Sequence, residues 1–435
     1  MRVGFFGGVR EIGGNIILIE DNGFGIVFDF GKRFKTNNTF FNDNISGRPE
    51  KGVDDYVEMG EFPPFKNFYI DSLSNANTIN VDIGAVFFSH AHLDHIGNVN
   101  LINNAIPKYL SNESYAVLKY FVKFGYIKSM PSNVNVINKA ISFGSFKVMP
   151  FPVDHDIPGA LAFIIETPKG IVIYTGDIFF KGISKEKSYD FVNYAKNLKP
   201  YLLISEGTRI GWGGVTSLTE EDLQLEIESC MNIFKGMVIA NPYEPHAPRI
   251  YSFYKVSQKF GRKLVLTTQY AYALHYLAMA GNLIAQEILD SKNTFIYPAG
   301  TELEDLKQIY PNKFIDTYSM QNEQDNVLLL LGFRNTPELI DIEPKKGSIY
   351  IHSGGEPIAN IDGDNAAILM NWLNKFNIPY FRIHSPGHAS EVEILQMARE
   401  INPEILLPIH TQIPERFKFI TESIEILEKG VLEEF

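Results

Sequence analysis

The sequence predicts a layered α/β protein built as two units, and three observations carry that expectation. Short segments rich in Val, Ile and Phe, separated by turns, fill the first part of the chain. After Tyr201, helical stripes alternate with apolar strands, the pattern of a second βα unit with a parallel or mixed sheet. The length of 435 residues divides into two or three domains at roughly 150 residues each.

In chain order, strands are expected at residues 15–19, 25–28, 85–88, 147–151, 162–166 and 171–174. Residues 36–66, rich in Asn, Gly, Pro and charge, read as a long surface loop. The spacing predicts a helix over 218–234: Thr219 supplies an N-cap, acidic residues fill the first turn, and Leu223, Ile227, Cys230 and Phe234 make the apolar stripe. Cys230 is therefore expected in the core. Strands follow at 237–240 and 264–267, then a long helix over 272–289 and strands at 327–331 and 348–352. No repeat, low-complexity tract or flexible linker separates the units.

Composition narrows the function. Apolar residues at 45% and charged residues at 21% are those of an ordinary globular chain, neither disordered nor fibrous. A net charge of −12, from 39 Lys plus Arg against 51 Asp plus Glu, argues against non-specific adhesion to nucleic acid or to an anionic membrane. One cysteine excludes an internal disulfide and any Cys-based zinc site, which fits a reducing compartment. Gly7 and Gly8 interrupt the first apolar stretch before a signal-peptide core forms, and no run is long enough to span a bilayer. A cytoplasmic location without membrane contact is expected.

The histidines carry the chemistry. Of 10 in the chain, three fall within His90-Ala91-His92-Leu93-Asp94-His95, directly after the apolar run 85–88. A loop at a strand end is where a rigid scaffold presents binding groups. His90 and His92 can face one metal ion while Asp94 and His95 turn towards a second. Imidazole nitrogens and carboxylate oxygens suit Zn²⁺ or Mn²⁺ rather than Ca²⁺. Further ligands must come from elsewhere: His155 stands just beyond the strand 147–151 and Asp177 just beyond 171–174. Either alone would be an ordinary turn residue; their matched placement favours a metal site.

The series His90-x-His92-x-Asp94-His95, His155 and Asp177 in a Thr-Gly-Asp turn, with Asp29 after 25–28, resembles the motif series of the metallo-β-lactamase fold. The second unit resembles the β-CASP insertion of its nucleic-acid-processing branch. Glu206 matches the first motif of that insertion, His388 in His384-Ser385-Pro386-Gly387-His388 the second, and His410 in Pro408-Ile409-His410 the third. The opening Gly7-Gly8-x-x-Glu11-Ile12-Gly13-x-Asn15 is similar to the entry strand of the ribonuclease J family. Two departures stand out: Pro386 separates Ser385 from Gly387, where the motif commonly reads Ser-Gly-His, and Thr411-Gln412 follow His410 where Gly-Glu is common.

The resemblance implies an αββα metallo-β-lactamase sandwich (1–204), an inserted β-CASP α/β domain (205–375) and a return segment (376–435) that completes the first domain. It implies two Zn²⁺ ions, with Mn²⁺ as the alternative: His90, His92 and His155 hold one, Asp94, His95 and His410 the other, and Asp177 bridges them. Asp94 and Asp177 thereby join His388, the candidate general acid, and Glu206, its orienting partner, as catalytic groups. Ser353, Gly354 and Gly355, with Arg382, His384 and Ser385, are candidates to cradle a 5′ phosphate. The expected function is a zinc-dependent ribonuclease acting on RNA from a 5′ phosphate end. A β-CASP endoribonuclease, a small-ester hydrolase of the same fold and a non-catalytic RNA-processing subunit are the alternatives, and the sequence leaves room for a homo-oligomer.

Overall fold

In the computed structural model, residues 1–34, 40–42, 44–71, 73–74, 78–213, 218–300, 303–354 and 363–435 are described. The chain divides into two compact units, one of Met1–Phe180, Ser184–Thr216 and Gly387–Phe435, the other of Lys181–Ile183 and Ser217–Pro386. The second unit opens at Ser217 instead of the expected residue 205, because the strand Leu202–Glu206 is hydrogen-bonded between Gly170–Tyr174 and Ile405–Ile409 of the first. It extends past residue 375 to Pro386, since the strand Tyr380–Arg382 pairs with Ile349–His352.

The first unit is built on two sheets. One runs in the order Leu432–Glu434, Arg2–Gly7, Ile16–Asp21, Phe24–Phe28, Asp82–Phe87, Lys108–Leu110, Val134–Val136. The other runs Ile405–Ile409, Leu202–Glu206, Gly170–Tyr174, Leu161–Thr167, Phe146–Pro152, Ile141–Phe143. Alternation along the strands fixes which side chains meet. Val172, Tyr174, Leu202, Ile204, Leu407 and Ile409 pack against Phe5, Ile17, Phe28 and Phe87 of the first sheet. Their neighbours Ile173, Leu203 and Leu406 point the other way, onto the helices Lys185–Ala195 and Glu391–Ile401, which bury Phe191, Val192, Ile394, Met397 and Ile401. Burial on both faces explains why these strands read as continuous apolar runs.

The second unit holds a six-stranded, all-parallel sheet in the order Thr294–Tyr297, Lys263–Thr267, Val327–Leu330, Val238–Ala240, Ile349–His352, Tyr380–Arg382. Its core gathers Ile239, Val265, Leu329 and Tyr350 from the strands with Leu339, Leu369 and Leu373 from the helices.

Three local expectations are corrected. The helix expected over 272–289 is two, Thr268–Met279 and Leu283–Asp290, because Gly281 takes φ +87° and Asn282 caps the second. Cys230 lies at the edge of the helix Glu220–Ile233, half-buried; the buried stripe is Leu223, Ile227 and Met231, in steps of four. The segment 36–66 contains the short helix Asp54–Glu58.

Candidate metal centre

The site is assembled where strands of the first unit end. Asp29 follows Phe24–Phe28, His155 follows Phe146–Pro152, Asp177 follows Gly170–Tyr174, and His410 follows Ile405–Ile409, while Glu206 is the last residue of its strand; His90 and His92 lie on the turn after Asp82–Phe87, and Asp94 and His95, expected on the same loop, stand in the short helix Leu93–Ile96. Within each sheet these strands run in the same direction, by parallel pairing or, for Phe146–Pro152, through two successive antiparallel pairings by way of Leu161–Thr167, so their ends fall on the same edge of the sheet. The helix Leu93–Ile96 is pinned through its carbonyls: Phe30 N–H donates to His95 O (2.7 Å), Lys32 N–H to Leu93 O (2.8 Å) and Asn15 N–H to Asp94 O (3.1 Å). A Cβ on Gly31 would collide with the Asp94 carbonyl, so this approach requires glycine. Asp29 and His410 both sit at positive φ (+59° and +53°), uncommon backbone for non-glycine residues that concentrates at functional sites.

The hydrogen bonds fix the imidazole orientations. Ser89 Oγ donates to Asp29 Oδ2 (2.9 Å), so it accepts from His90 Nδ1 (3.0 Å). His95 Nδ1 donates to Asp29 Oδ2 (2.8 Å), His155 Nδ1 to the Gly387 carbonyl (2.8 Å) and His410 Nδ1 to Thr208 Oγ1 (2.7 Å), whose own proton goes to Glu206 Oε2 (2.7 Å). Each ring therefore has Nδ1–H tied outward and its Nε2 turned inward. Those Nε2 atoms converge on Asp177 Oδ2: His95 at 3.1 Å, His90 at 3.6 Å, His410 at 3.7 Å and His155 at 3.8 Å. His92 faces the same centre through Nδ1, 3.0 Å from His90 Nε2 and 3.1 Å from His155 Nε2.

This spacing is that of ligands on a shared ion: two donors each about 2.1 Å from a tetrahedral zinc lie roughly 3.4 Å apart. Three ligand-spaced sets result: His90, His92, His155 and Asp177; Asp94, His95 and His410; and Asp177, Glu206 and His388. Asp177 Oδ1 is buried with no hydrogen-bond partner among the described residues, as an oxygen reserved for a cation would be. The donor set thus fits a divalent metal site. Outer partners such as Asp29 and Thr208 fix tautomer and ring orientation in such centres.

Electrostatics agree with the geometry at His90 and His92, whereas at His95 burial is overcome by the carboxylates of Asp177, Asp94 and Asp29, which hold that imidazole well above its usual range. Burial holds His90 well below its usual range and brings His92 down to about 4 against the pull of Asp156, leaving both neutral, the form that binds metals. Burial would raise the Asp177 carboxyl, but His410, His95 and His388 outweigh it and hold it well below the ordinary carboxylate range. Beside this centre, His388 Nδ1 donates to Glu206 Oε2 at 3.0 Å, and its Nε2 lies 3.9 Å from Asp177 Oδ2. Burial lowers the His388 imidazolium, yet Glu206 and Asp177 overcome this and lift it to about 10. Glu206 is itself fully buried and also accepts from Ile178 N–H (2.7 Å).

The candidate phosphate residues belong to the second unit. Ser353 and Gly354 follow the strand Ile349–His352, and His384 and Ser385 follow Tyr380–Arg382, with His384 packed against Gly354. Both serine hydroxyls are already engaged: Ser353 Oγ accepts from Arg249 (3.2 Å) and Ser385 Oγ donates to Leu218 O (2.5 Å). Arg382 is exposed, and Gly355 lies outside the described residues. Sequence reasoning missed Arg249. It is buried, paired with Glu220 (2.8 Å), and donates to the carbonyls of both Ser353 and Ser385. A single Arg in a helical stretch gives no sequence signal for such a role. Thr208, Tyr174 and Asp156 were missed for the same reason: each meets the site only through tertiary structure.

Fold and site together define the class, and residues 9–204 match the family model of the metallo-beta-lactamase superfamily. Over most of its length the chain is similar to proteins named ribonuclease J. Over 430 residues it is 24% identical to ribonuclease J of Mycoplasma genitalium, covering 93% of this chain and 67% of that one. Over 445 residues it is 25% identical to ribonuclease J of Helicobacter pylori, covering 98% and 58%, so it spans less than two thirds of that relative's length. Ribonuclease J of Pyrococcus abyssi is 22% identical over 462 residues, covering 99% and 93%. A crystal structure of a protein of unknown function from Enterococcus faecalis aligns with a TM-score of 0.82 and 25% identity, covering 99% of each chain.

Proposed function

We propose that this chain is a metal-dependent ribonuclease that hydrolyses RNA phosphodiesters, working 5′ to 3′ from a 5′ phosphate end in RNA processing or decay. The observation that carries this reading is the convergence of inward-facing imidazole nitrogens on Asp177, with the His388–Glu206 pair beside it. The ribonuclease J relatives support RNA as the substrate. His90, His92 and His155 would hold one ion and Asp94, His95 and His410 a second, with Asp177 shared; zinc suits this donor set best and manganese is the alternative. Bound there, such ions polarise a phosphoryl oxygen and acidify water for in-line attack on phosphorus.

The chain's own groups handle the remaining proton and the substrate. His388, held protonated by Glu206, donates from Nε2 to the departing 3′ oxygen. Glu206 acts through His388: by occupying Nδ1 it leaves Nε2 as the nitrogen that can reach the leaving group. Arg382, the charged member of its set, would hold the 5′ phosphate with Ser353, Gly354, Gly355, His384 and Ser385. Work in the cytoplasm is part of the same reading, and no helix among the described residues is long and apolar enough to cross a membrane.

The test is digestion of 5′-labelled RNA bearing a monophosphate or a triphosphate. Labelled mononucleotide released first, from the monophosphate substrate, is the expected result. Internal fragments appearing first would replace the exonuclease reading with an endonuclease one.

A further inference from the structure

Each inward-facing imidazole above has its outer nitrogen tied to a named acceptor, and His92 poses the question of what serves it. Its ring is reversed relative to the others: Nδ1 faces the centre, so Nε2 is the outer nitrogen. The carboxylate oxygen Oδ1 of Asp156 stands 3.4 Å from that Nε2 and 3.2 Å from His155 Nε2. The Asp156 side chain is about a quarter exposed (26%), unlike the fully buried Asp29 and Glu206, while its Oδ1 is itself buried and makes no hydrogen bond with either histidine. It is held there from behind, because a Cβ on Gly387 would overlap its carboxyl carbon, and the Gly387 carbonyl accepts from His155 Nδ1.

Two roles are open to a carboxylate in this place, direct ligand or acceptor for an outer ring N–H. The ligand-spaced set around Asp177 comprises His90, His92 and His155, and Asp156 is not among its members. We infer that Asp156 is a positioning residue, the carboxylate that pairs with His92 Nε2 at 3.4 Å and accepts its proton when His92 Nδ1 is on the metal. It completes a pattern in which every imidazole of the centre is oriented by an acceptor on its far side. It also explains the glycine in Pro386-Gly387-His388 in terms of this chain: any side chain there would displace the acceptor. The inference rests on the metal reading of the site.

The test is a zinc titration against a chelating indicator, comparing the wild-type protein with Asp156→Ala and Asp156→Asn, together with the visible absorption of the cobalt-substituted forms. Asparagine keeps an oxygen acceptor, whereas alanine removes it. The expected result is zinc affinity at one of two sites weakened by about 10–100-fold in Asp156→Ala, largely restored in Asp156→Asn, with the cobalt spectrum of Asp156→Asn like that of wild type. Unchanged affinity in Asp156→Ala would overturn the inference. Equal loss in both variants with an altered cobalt spectrum would overturn it in favour of a direct ligand. Absence of zinc binding by the wild-type protein would instead overturn the metal reading and is read separately. Matched thermal unfolding of the metal-free proteins checks that each variant is folded.

Discussion

At the scale of single residues, the centre is governed by which nitrogen of each histidine is engaged. Imidazole carries two nitrogens, and only a ring whose outer N–H has an acceptor presents a fixed lone pair. His388, like His95 with Asp29, has its outer nitrogen on a buried carboxylate, here that of Glu206, and the two form an ion pair beside Asp177. Because its folded-state value is raised to about 10, its contribution to stability is full below about 6.5 and is lost as pH rises through 10. In the metal-free protein, the stability advantage of wild type over Glu206→Gln should therefore shrink between pH 6.5 and 10, measured by urea unfolding at each pH. Histidine NMR should show the His388 titration moving down towards its ordinary value in Glu206→Gln. An unmoved titration would mean that Glu206 does not hold the proton. Zinc added to the wild-type protein should also lower the His388 value, since nearby cations disfavour imidazolium.

The candidate ligands were legible at this scale because the chain writes them as a dense motif: His90 to His95 fall within six residues, and His155, Asp177 and His410 each follow an apolar strand. Asp156 and Thr208 were not legible. Short polar residues beside a motif look like turn residues until the fold shows which ring nitrogen they face. Arg249 was invisible for a related reason, since its partners Glu220, Ser353 and Ser385 are distant in sequence.

At the scale of elements, the strand ends deliver the ligands and short backbone contacts set their depth. Gly31 illustrates this: its missing side chain lets the chain after Phe24–Phe28 lie directly on Asp94. Gly31→Ala should displace Asp94 and lower the zinc content of the purified protein, read by elemental analysis, and full occupancy in that variant would refute the role given to this contact. The helix Glu391–Ile401 begins three residues beyond His388 and is closed by a capping box between Ser390 and Glu393. Ser390→Ala should cost about 1 kcal/mol in urea unfolding. Strand positions were largely readable from apolar runs, because burial on both faces makes the runs continuous. The split of the helix expected over 272–289 was harder to see, since the residues on both sides of Gly281 carry helical apolar spacing.

At the scale of the whole molecule, the layered two-unit fold was readable from the alternation of strands and helices, whereas the boundary at Ser217 was not: only pairing shows that the strand of Glu206 belongs to the first unit. On the proposed reading, the net charge of −12 bears on how RNA would be held. An acidic chain that grips its substrate at a metal centre and a few phosphate contacts should show weak salt dependence. A log-log slope of about −2 or shallower is expected if roughly three phosphates are neutralised, measured as RNA binding across a salt series. A much steeper slope would indicate a broad basic face that the composition does not suggest.

The central claim is that the converging histidines and Asp177 form a catalytic metal centre acting on RNA. It is tested most directly by the rate of RNA hydrolysis of the purified, zinc-replete protein against the His95→Ala, Asp177→Ala double variant. Hydrolysis by the wild-type protein that falls to background in the folded double variant is the predicted result. Undiminished hydrolysis by the double variant would contradict the account.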